Sequence, residues 1–238
     1  MESIKGKNIL IIGATGGVGS GTAKLLSAAG ATLFITGRNK EKLQAIGNDL
    51  SIPATRQFIV DICSETNITR AVDDMHRQIA AVDIAIIASG IGIIKTMDAL
   101  SAEEFIRTLH TNLVGPFLLI KAILPNMKEQ KKGLIINIPG VLGKVPMAGA
   151  AAYSASKYGL TGMMQSIREE IKRTEIRITN LFLGGVDSPF WDGIDLRVQR
   201  EKMINASEAA KAIWFLCQQP RSGVISEMVL QPFNHQAI

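Results

Sequence analysis

Short runs of almost wholly apolar residues recur along the chain and alternate with segments of helical periodicity. Seven of these runs have the length of a β-strand: Asn8–Gly13, Thr32–Thr36, Gln57–Asp61, Asp83–Ser89, Gly133–Ile138, Arg177–Phe182 and Val224–Leu230. Helices are predicted between them, near residues 17–29, 39–49, 64–80, 101–127, 153–173 and 207–218. Because such strands are apolar on both faces, the pattern predicts a parallel sheet between two layers of helices.

This order of elements is typical of a doubly wound α/β fold with a seven-stranded parallel sheet. The chain has no repeat, low-complexity tract or linker-like stretch, so we expect residues 1–238 to form a single domain. Ser101 and Glu104 form a capping-box pattern at the start of the helix near 101–127. Gly115-Pro116 should kink that helix, because proline lacks a backbone donor.

Composition and charge exclude several classes of protein. Hydrophobic residues make up 47% of the 238 residues, too many for a disordered chain. The apolar runs are far shorter than the roughly 18–20 residues that cross a bilayer, and the glycines after Ile12 interrupt any signal-peptide pattern. We therefore expect a cytoplasmic protein with no membrane partner.

Charge and residue spacing also argue against nucleic acid, a metal ion and a disulfide bond. The net charge of +5 comes from basic residues spread along the chain, so no nucleic-acid partner is expected. The three histidines are scattered, so no metal site is expected. Cys63 and Cys217 are far apart in sequence and are expected to be reduced.

A glycine-rich turn joins the first predicted strand to the first helix. Its sequence is Gly13-Ala14-Thr15-Gly16-Gly17-Val18-Gly19. Glycines let the backbone turn tightly and approach a pyrophosphate, which binds at a helix N-terminus where free N–H groups point outward. A plain strand–helix turn needs only one glycine, so four of them in this run favour a dinucleotide site.

The glycine spacing G-x-x-x-G-x-G resembles that of the short-chain dehydrogenase/reductase family, and Tyr153-x-x-x-Lys157 lies where that family has its catalytic pair. The resemblance extends over nearly the whole chain, in length and in the order of strands and helices. It implies a Rossmann-type NADP-binding oxidoreductase domain over residues 1–238 that interconverts a carbonyl and an alcohol. The small-molecule substrate is expected to be modest in size and partly apolar.

The resemblance also implies a homodimer or homotetramer, assembled through the two long helices near 101–127 and 153–173. Met163, Met164 and Ile167 are an apolar set that we expect on the exposed side of the second helix. Residues 189–205 are expected to form a short lid over the substrate. Phe190 and Trp191, near its start, could serve either packing or recognition.

The same resemblance implies which residues bind the cofactor. Those of the glycine turn are Gly13, Thr15, Gly16, Gly17, Val18 and Gly19. Those of other segments are Arg38, Asp61, Ile62, Ser89, Gly90, Tyr153, Lys157, Val186 and Ser188. Asp61 could instead cap the following helix, and Ser188 could be a turn residue before Pro189.

Arg38 indicates which dinucleotide is bound. An acidic residue at the end of the second strand would hydrogen-bond the ribose hydroxyls of NAD and repel a 2′-phosphate. This chain has Thr36-Gly37-Arg38 there, and an arginine can form a charge-assisted pair with phosphate. NADP is therefore favoured, although Arg38 could also be a solvated residue that opens the next helix.

Tyr153, Lys157 and Asn112 are the candidate catalytic residues. Tyr153 and Lys157 are four residues apart and so share one helix face. The ordinary pKa of a tyrosine is about 10, and we expect the lysine ammonium to lower it so that the phenol can exchange a proton with the substrate oxygen. By the resemblance, Lys157 also holds the nicotinamide ribose, and Asn112 holds a water that relays protons. Asn112 could instead satisfy backbone groups loosened by the kink.

Gly140 is the position that departs most from the family. The resemblance implies a serine here, thirteen residues before Tyr153, whose hydroxyl steadies the substrate oxygen. Losing such a donor typically costs about 10²–10³ in rate. Two functions stay open: an oxidoreductase in which water or a substrate hydroxyl replaces the serine, and an NADP(H)-binding sensor or scaffold with little turnover. Gly140→Ser is expected to raise turnover, provided that φ there is not positive.

Overall fold

A computed structural model describes residues 1–234 and contains the predicted parallel sheet with helices on both faces. Its seven strands are β1 (Asn8–Ile12), β2 (Thr32–Gly37), β3 (Gln57–Ile59), β4 (Ile84–Ile87), β5 (Lys132–Asn137), β6 (Glu175–Leu183) and β9 (Glu227–Leu230). Two short strands that the sequence did not predict, β7 (Val186–Asp187) and β8 (Ile204–Asn205), pair with each other. The large sheet has the order β3-β2-β1-β4-β5-β6-β9. The order reverses between β1 and β4, and ligands bind outside the carboxyl ends of strands at such a switch point.

Seven α-helices accompany these strands. They are α1 (Gly17–Ala28), α2 (Lys40–Asp49), α3 (Glu65–His76), α4 (Ala102–Leu109), α5 (Gly115–Gln130), α6 (Ala151–Ile171) and α7 (Ala206–Cys217). None of the helices in residues 1–234 is both long and apolar enough to cross a bilayer.

The core has two layers because side chains alternate along each strand. Ile9 and Ile11 of β1 face one layer, which also receives buried residues from α1, α2 and α7. Leu10 and Ile12 face the other layer, with residues from α3, α5 and α6. Burial of this apolar surface contributes roughly 25 cal/mol per Å² and is the main force that holds the helices on the sheet.

The long helix predicted near 101–127 is divided into two. α4 ends at Leu109, residues His110–Val114 form a π-helical turn, and α5 begins at Gly115. The backbone N–H of Gly115 donates to the carbonyl of His110, five residues earlier. Pro116 has no N–H to continue the ordinary ladder, which accounts for the interruption just before it. The predicted kink is thus a wider turn that begins at His110.

The apolar set proposed for the exposed side of α6 is not exposed. Met164 is fully buried, and Met163 and Ile167 pack against the same core layer. The prediction was wrong because helical periodicity identifies an apolar face without telling which neighbour covers it. α6 also begins at Ala151, which places Tyr153 in its first turn.

Candidate active site

The N-terminus of α1 is open at the switch point. Gly16 is the N-cap residue, and no side chain accepts a hydrogen bond from the first turn. Gly13 has a φ of +84°, a conformation that side chains other than that of glycine rarely adopt. Backbone N–H groups of a first turn, aligned with the helix dipole, form a binding site for an anion such as a pyrophosphate.

The glycines of this turn also let three segments meet. A Cβ atom on Gly13 would lie 2.9 Å from the backbone of Ser89, and one on Gly17 would lie 2.7 Å from the Cβ of Ser188. A Cβ atom on Gly19 would lie 2.2 Å from the carbonyl oxygen of Gly13. The Ser89 hydroxyl is buried and has no hydrogen-bond partner. This cradle, with its orphaned hydroxyl, fits a dinucleotide at the turn.

Arg38 lies at the end of β2, beside the glycine turn. A Cβ atom on Gly37 would be 2.6 Å from the methyl group of Thr15, so these two segments are in contact. Arg38 is exposed and, among residues 1–234, has no ion-pair partner. Asn39 caps α2 by accepting a hydrogen bond from the Lys42 N–H at 2.7 Å. Asn39, and not Arg38, therefore caps that helix.

Asp61 and Ile62 follow β3 on the same edge of the sheet. Asp61 Oδ1 accepts a hydrogen bond from the Cys63 N–H at 3.0 Å, whereas the side chain that caps α3 is that of Ser64. The alternative of Asp61 as the helix cap is therefore wrong. Ile62 is buried and packs on Gly115, where a Cβ atom would lie 2.8 Å from its side chain. Contact of Ile62 with a nucleotide would thus come from its backbone.

Asn112 lies in the π-helical turn and is fully buried. Its Oδ1 accepts from the Ile91 N–H at 2.9 Å, and its Nδ2 donates to the Ile91 carbonyl at 2.9 Å and to Ser156 Oγ at 3.1 Å. Ser156 Oγ in turn donates to the carbonyl of Tyr153 at 2.7 Å. The amide thus joins the loop after β4 to the first turns of α6. It does not serve the loosened backbone carbonyls of its own helix. No sequence motif marks Ser156.

Gly90 keeps a gap open between Asn112 and Lys157. A Cβ atom on Gly90 would lie 3.2 Å from Asn112 Oδ1 and 3.5 Å from Lys157 Nζ. Asn112 Oδ1 retains a second lone pair, and a water that bridges two polar groups binds nearly as well as a direct hydrogen bond. The geometry is compatible with the predicted water relay.

Tyr153 and Lys157 lie together on α6. Lys157 Nζ is 5.4 Å from the centre of the Tyr153 ring and donates to the carbonyl of Ile138 at 3.2 Å. Burial lowers the pKa of Lys157 to about 8. Burial also raises the pKa of the Tyr153 phenol above its ordinary value. The expected lowering of the Tyr153 pKa is therefore wrong, because desolvation of the phenolate outweighs the nearby ammonium.

Gly140 has a backbone that a serine cannot readily adopt. Its φ is +71° and its ψ is 169°, a region occupied almost only by glycine. A Cβ atom there would also lie 3.3 Å from the carbonyl oxygen of Leu183. The condition attached to the Gly140→Ser expectation is not met.

Gly140→Ser is accordingly expected to destabilise the protein by about 1–3 kcal/mol, a drop in Tm of several degrees, without any gain in turnover. Thermal denaturation monitored by circular dichroism measures this. Gly193→Ser is the matched control, because Gly193 has no positive φ and no atom within 4 Å of its built Cβ. A Gly140→Ser protein as stable as the control would contradict the prediction.

Arg200 stabilises the segment after β7 and was not among the residues predicted from the sequence. Its guanidinium contacts Asp187 at 2.6 Å and Asp192 at 2.8 Å, and it donates to the Ser188 carbonyl at 2.7 Å. Ser188 is buried against Gly17, so it is more than a turn residue before Pro189. Val186 is buried and pairs with Ile204 in the small sheet. No sequence motif marks Arg200, whose partners become neighbours only through the turn after β7.

Fold and site together define a dinucleotide-binding α/β protein with a tyrosine–lysine pair beside its glycine cradle. The family profile described as short chain dehydrogenase matches residues 7–198. The chain therefore belongs to the short-chain dehydrogenase/reductase family of oxidoreductases.

Curated relatives and solved structures agree with this. An uncharacterized oxidoreductase of Staphylococcus epidermidis is 28% identical over 232 residues, covering 98% of this chain and 100% of the relative. A metagenomic short-chain oxidoreductase, solved in complex with NADP, is 27% identical with a TM-score of 0.83, covering 97% of this chain and 99% of that one. An alcohol dehydrogenase from the archaeon Thermococcus sibiricus, complexed with 5-hydroxy-NADP, shares the fold with a TM-score of 0.89 at 21% identity, covering 98% and 100% of the two chains.

Proposed function

We propose that residues 1–238 form a single NADP(H)-dependent oxidoreductase that interconverts a carbonyl and an alcohol on a small, partly apolar substrate. The observation that carries the proposal is the convergence of Tyr153, Lys157 and Asn112 beside the glycine cradle. Incubation with NADPH and a panel of ketones, aldehydes and quinones tests it. Carbonyl-dependent loss of NADPH absorbance is expected, and its absence across the panel would contradict the proposal.

A bound NADPH would supply the hydride that reduces the carbonyl carbon. Tyr153 donates its proton to the carbonyl oxygen as negative charge develops there. Its phenol is protonated at neutral pH, since even an ordinary tyrosine has a pKa of about 10 and burial raises the pKa of Tyr153 further. The Lys157 ammonium then stabilises the phenolate left behind. A water between Lys157 and Asn112, in the gap kept open at Gly90, restores the proton.

NADP is the proposed dinucleotide. Arg38, which is exposed and directly follows the Gly37 that contacts Thr15, would bind the 2′-phosphate that distinguishes NADP from NAD. The metagenomic relative solved with NADP adds support. Gly13, Gly16, Gly17, Val18 and Gly19 would hold the pyrophosphate at the start of α1. Asp61, Ile62, Ser89, Gly90, Val186 and Ser188 would line the rest of the cofactor site.

Carbonyl reduction is expected to fall as the pH rises past about 8. Burial lowers the pKa of Lys157 to about 8, so the ammonium that supports the Tyr153 phenolate is lost above that value. Tyr153 itself stays protonated in this range, because its pKa is raised. The pH dependence of kcat/KM measures the effect. In Lys157→Arg, whose charge persists at alkaline pH, any residual turnover should lack the alkaline fall. A flat profile to about pH 10 in the unmodified protein would refute the assignment.

The second candidate is a protein that binds NADP(H) as a sensor or scaffold with little turnover. Gly140 favours it, because the local backbone excludes a side chain that could support the substrate oxygen. Such a protein needs the cofactor cradle but not the Tyr153 hydroxyl. NADPH binding without consumption of NADPH on any carbonyl of the panel would identify it.

Assembly into a homodimer or homotetramer is also proposed. Ile106 of α4, Phe117 of α5 and Tyr158 of α6 are 61%, 47% and 43% exposed. Large apolar side chains grouped on neighbouring helices are typical of association surfaces. Light scattering should give a mass of two or four chains, and replacement of Ile106 and Phe117 by serine should reduce it. A single-chain mass at working concentration would refute the proposal.

A further inference from the structure

Two aromatic rings of the segment after β7 lie in a row with Tyr153. The ring of Phe190 is centred 5.8 Å from that of Tyr153, and their planes are tilted by 59°. The indole of Trp191 meets Phe190 edge-on at 5.3 Å. Separations of about 4.5–7 Å are those of attractive aromatic pairs. A continuous aromatic surface therefore begins at the candidate proton donor.

Phe190 also reaches the loop after β4. A Cβ atom on Gly92 would lie 2.3 Å from Phe190 Cζ and 2.9 Å from Ile194 Cδ1. The bare backbone at Gly92 thus makes room for the ring, and a larger residue there would displace it. Phe190 connects the lid segment to two elements that border the site, α6 and the loop after β4.

Contacts within the segment after β7 hold the rings of Phe190 and Trp191 in place. Trp191 Nε1 donates a hydrogen bond to the carbonyl of Val186 at 2.9 Å. Arg200 contacts Asp187 at 2.6 Å and Asp192 at 2.8 Å. These ion pairs join the two ends of the same segment. Because these side chains are already ordered, ligand binding costs little further conformational entropy. Such a surface can select among ligands.

We infer that the substrate is a carbonyl compound with an aromatic ring attached to the carbonyl carbon, and that Phe190 selects it. The inference rests on the proposed function, since Tyr153 must protonate the carbonyl oxygen. A substrate ring packed against Phe190 places its attached carbonyl next to the Tyr153 phenol. One such ring pair discriminates against a saturated ring by about 2- to 10-fold.

Two ketones of similar size test the inference in the NADPH assay. Acetophenone should have a kcat/KM about 2- to 10-fold above that of cyclohexyl methyl ketone, which lacks a π-system. In Phe190→Leu the ratio of these two kcat/KM values should fall to about one, while the Kd for NADPH stays unchanged. Phe233→Leu, at an 89% exposed position, is the matched control and should keep the ratio.

A second variant and a binding measurement keep the test decisive. Gly92→Ala should lower the same ratio by displacing the Phe190 ring. The chain has two tryptophans, and in the Trp214→Phe variant Trp191 is the one that remains. The fluorescence of Trp191 in NADP-saturated protein then reports ligand binding. Turnover of both ketones at equal kcat/KM would overturn the inference and leave the proposed function intact. Quenching by acetophenone but not by cyclohexyl methyl ketone, with no turnover, would support the aromatic site and overturn the proposed function.

Discussion

Tyr153→Phe is expected to lower the turnover of NADPH with any accepted carbonyl by about 10²–10⁴. The change removes the hydroxyl that donates the proton and keeps the ring that packs 5.8 Å from Phe190. The fold should therefore stay the same, and the Kd for NADPH should rise by no more than the roughly 2- to 10-fold of one hydrogen bond. Steady-state loss of NADPH absorbance measures the effect, with a cofactor titration on the same sample.

The matched control lies on the same helix. Tyr158, the second of the two tyrosines in the chain, donates its hydroxyl to the carbonyl of Lys144 and is 43% exposed. Tyr158→Phe should cost about 0.5–1.5 kcal/mol of stability, the net contribution of one hydrogen bond, and leave turnover unchanged. If Tyr153→Phe retained full turnover, the proton donor would have to be another group and the proposed mechanism would be wrong.

Arg38→Asp is expected to reverse the order of cofactor affinity. Arg38 is exposed and directly follows Gly37, which contacts Thr15 of the glycine turn. A hydrogen bond to a charged group contributes about 1.5–3 kcal/mol, or about 10- to 150-fold in Kd. Its loss should weaken NADPH by that factor. The new carboxylate would repel the 2′-phosphate and accept hydrogen bonds from the ribose hydroxyls of NADH, so NADH should bind more tightly.

Calorimetric titration of each cofactor gives both constants. Lys24→Asp changes the net charge by the same amount at an exposed position of α1, so it controls for a general electrostatic effect. Equal Kd values for NADPH and NADH in the unmodified protein would contradict the role of Arg38.

The local pattern of apolar and helical segments was enough to predict the seven-stranded parallel sheet. The apolar runs and helical segments predicted all seven strands of the large sheet, because a strand buried on both faces has few alternatives to a parallel sheet. Strand ends were less well predicted: β9 begins at Glu227 and not at Val224. A strand extends only as far as its neighbour offers backbone partners, and this is not encoded in one segment alone.

The candidate site also has parts that the local sequence predicted and parts that it did not. The glycine turn and the spacing of Tyr153 and Lys157 are local features, and they predicted an open helix N-terminus and a shared helix face. The clamp of Asn112 on Ile91 and Ser156 joins three segments that are distant in sequence, so no local signal could predict it. The same is true of the contacts of Arg200.

The sequence by itself determined the doubly wound sheet, the dinucleotide cradle and the tyrosine–lysine pair, because each depends on residue types at fixed local spacing. The tertiary structure alone decided the direction of the Tyr153 pKa shift and the positive φ of Gly140. A pKa depends on how many atoms from other segments displace water around the group. A backbone angle at a loop depends on where the elements at its two ends are held. Both quantities come from packing between distant parts of the chain, and they decide that burial raises the pKa of Tyr153 and that a serine cannot readily replace Gly140.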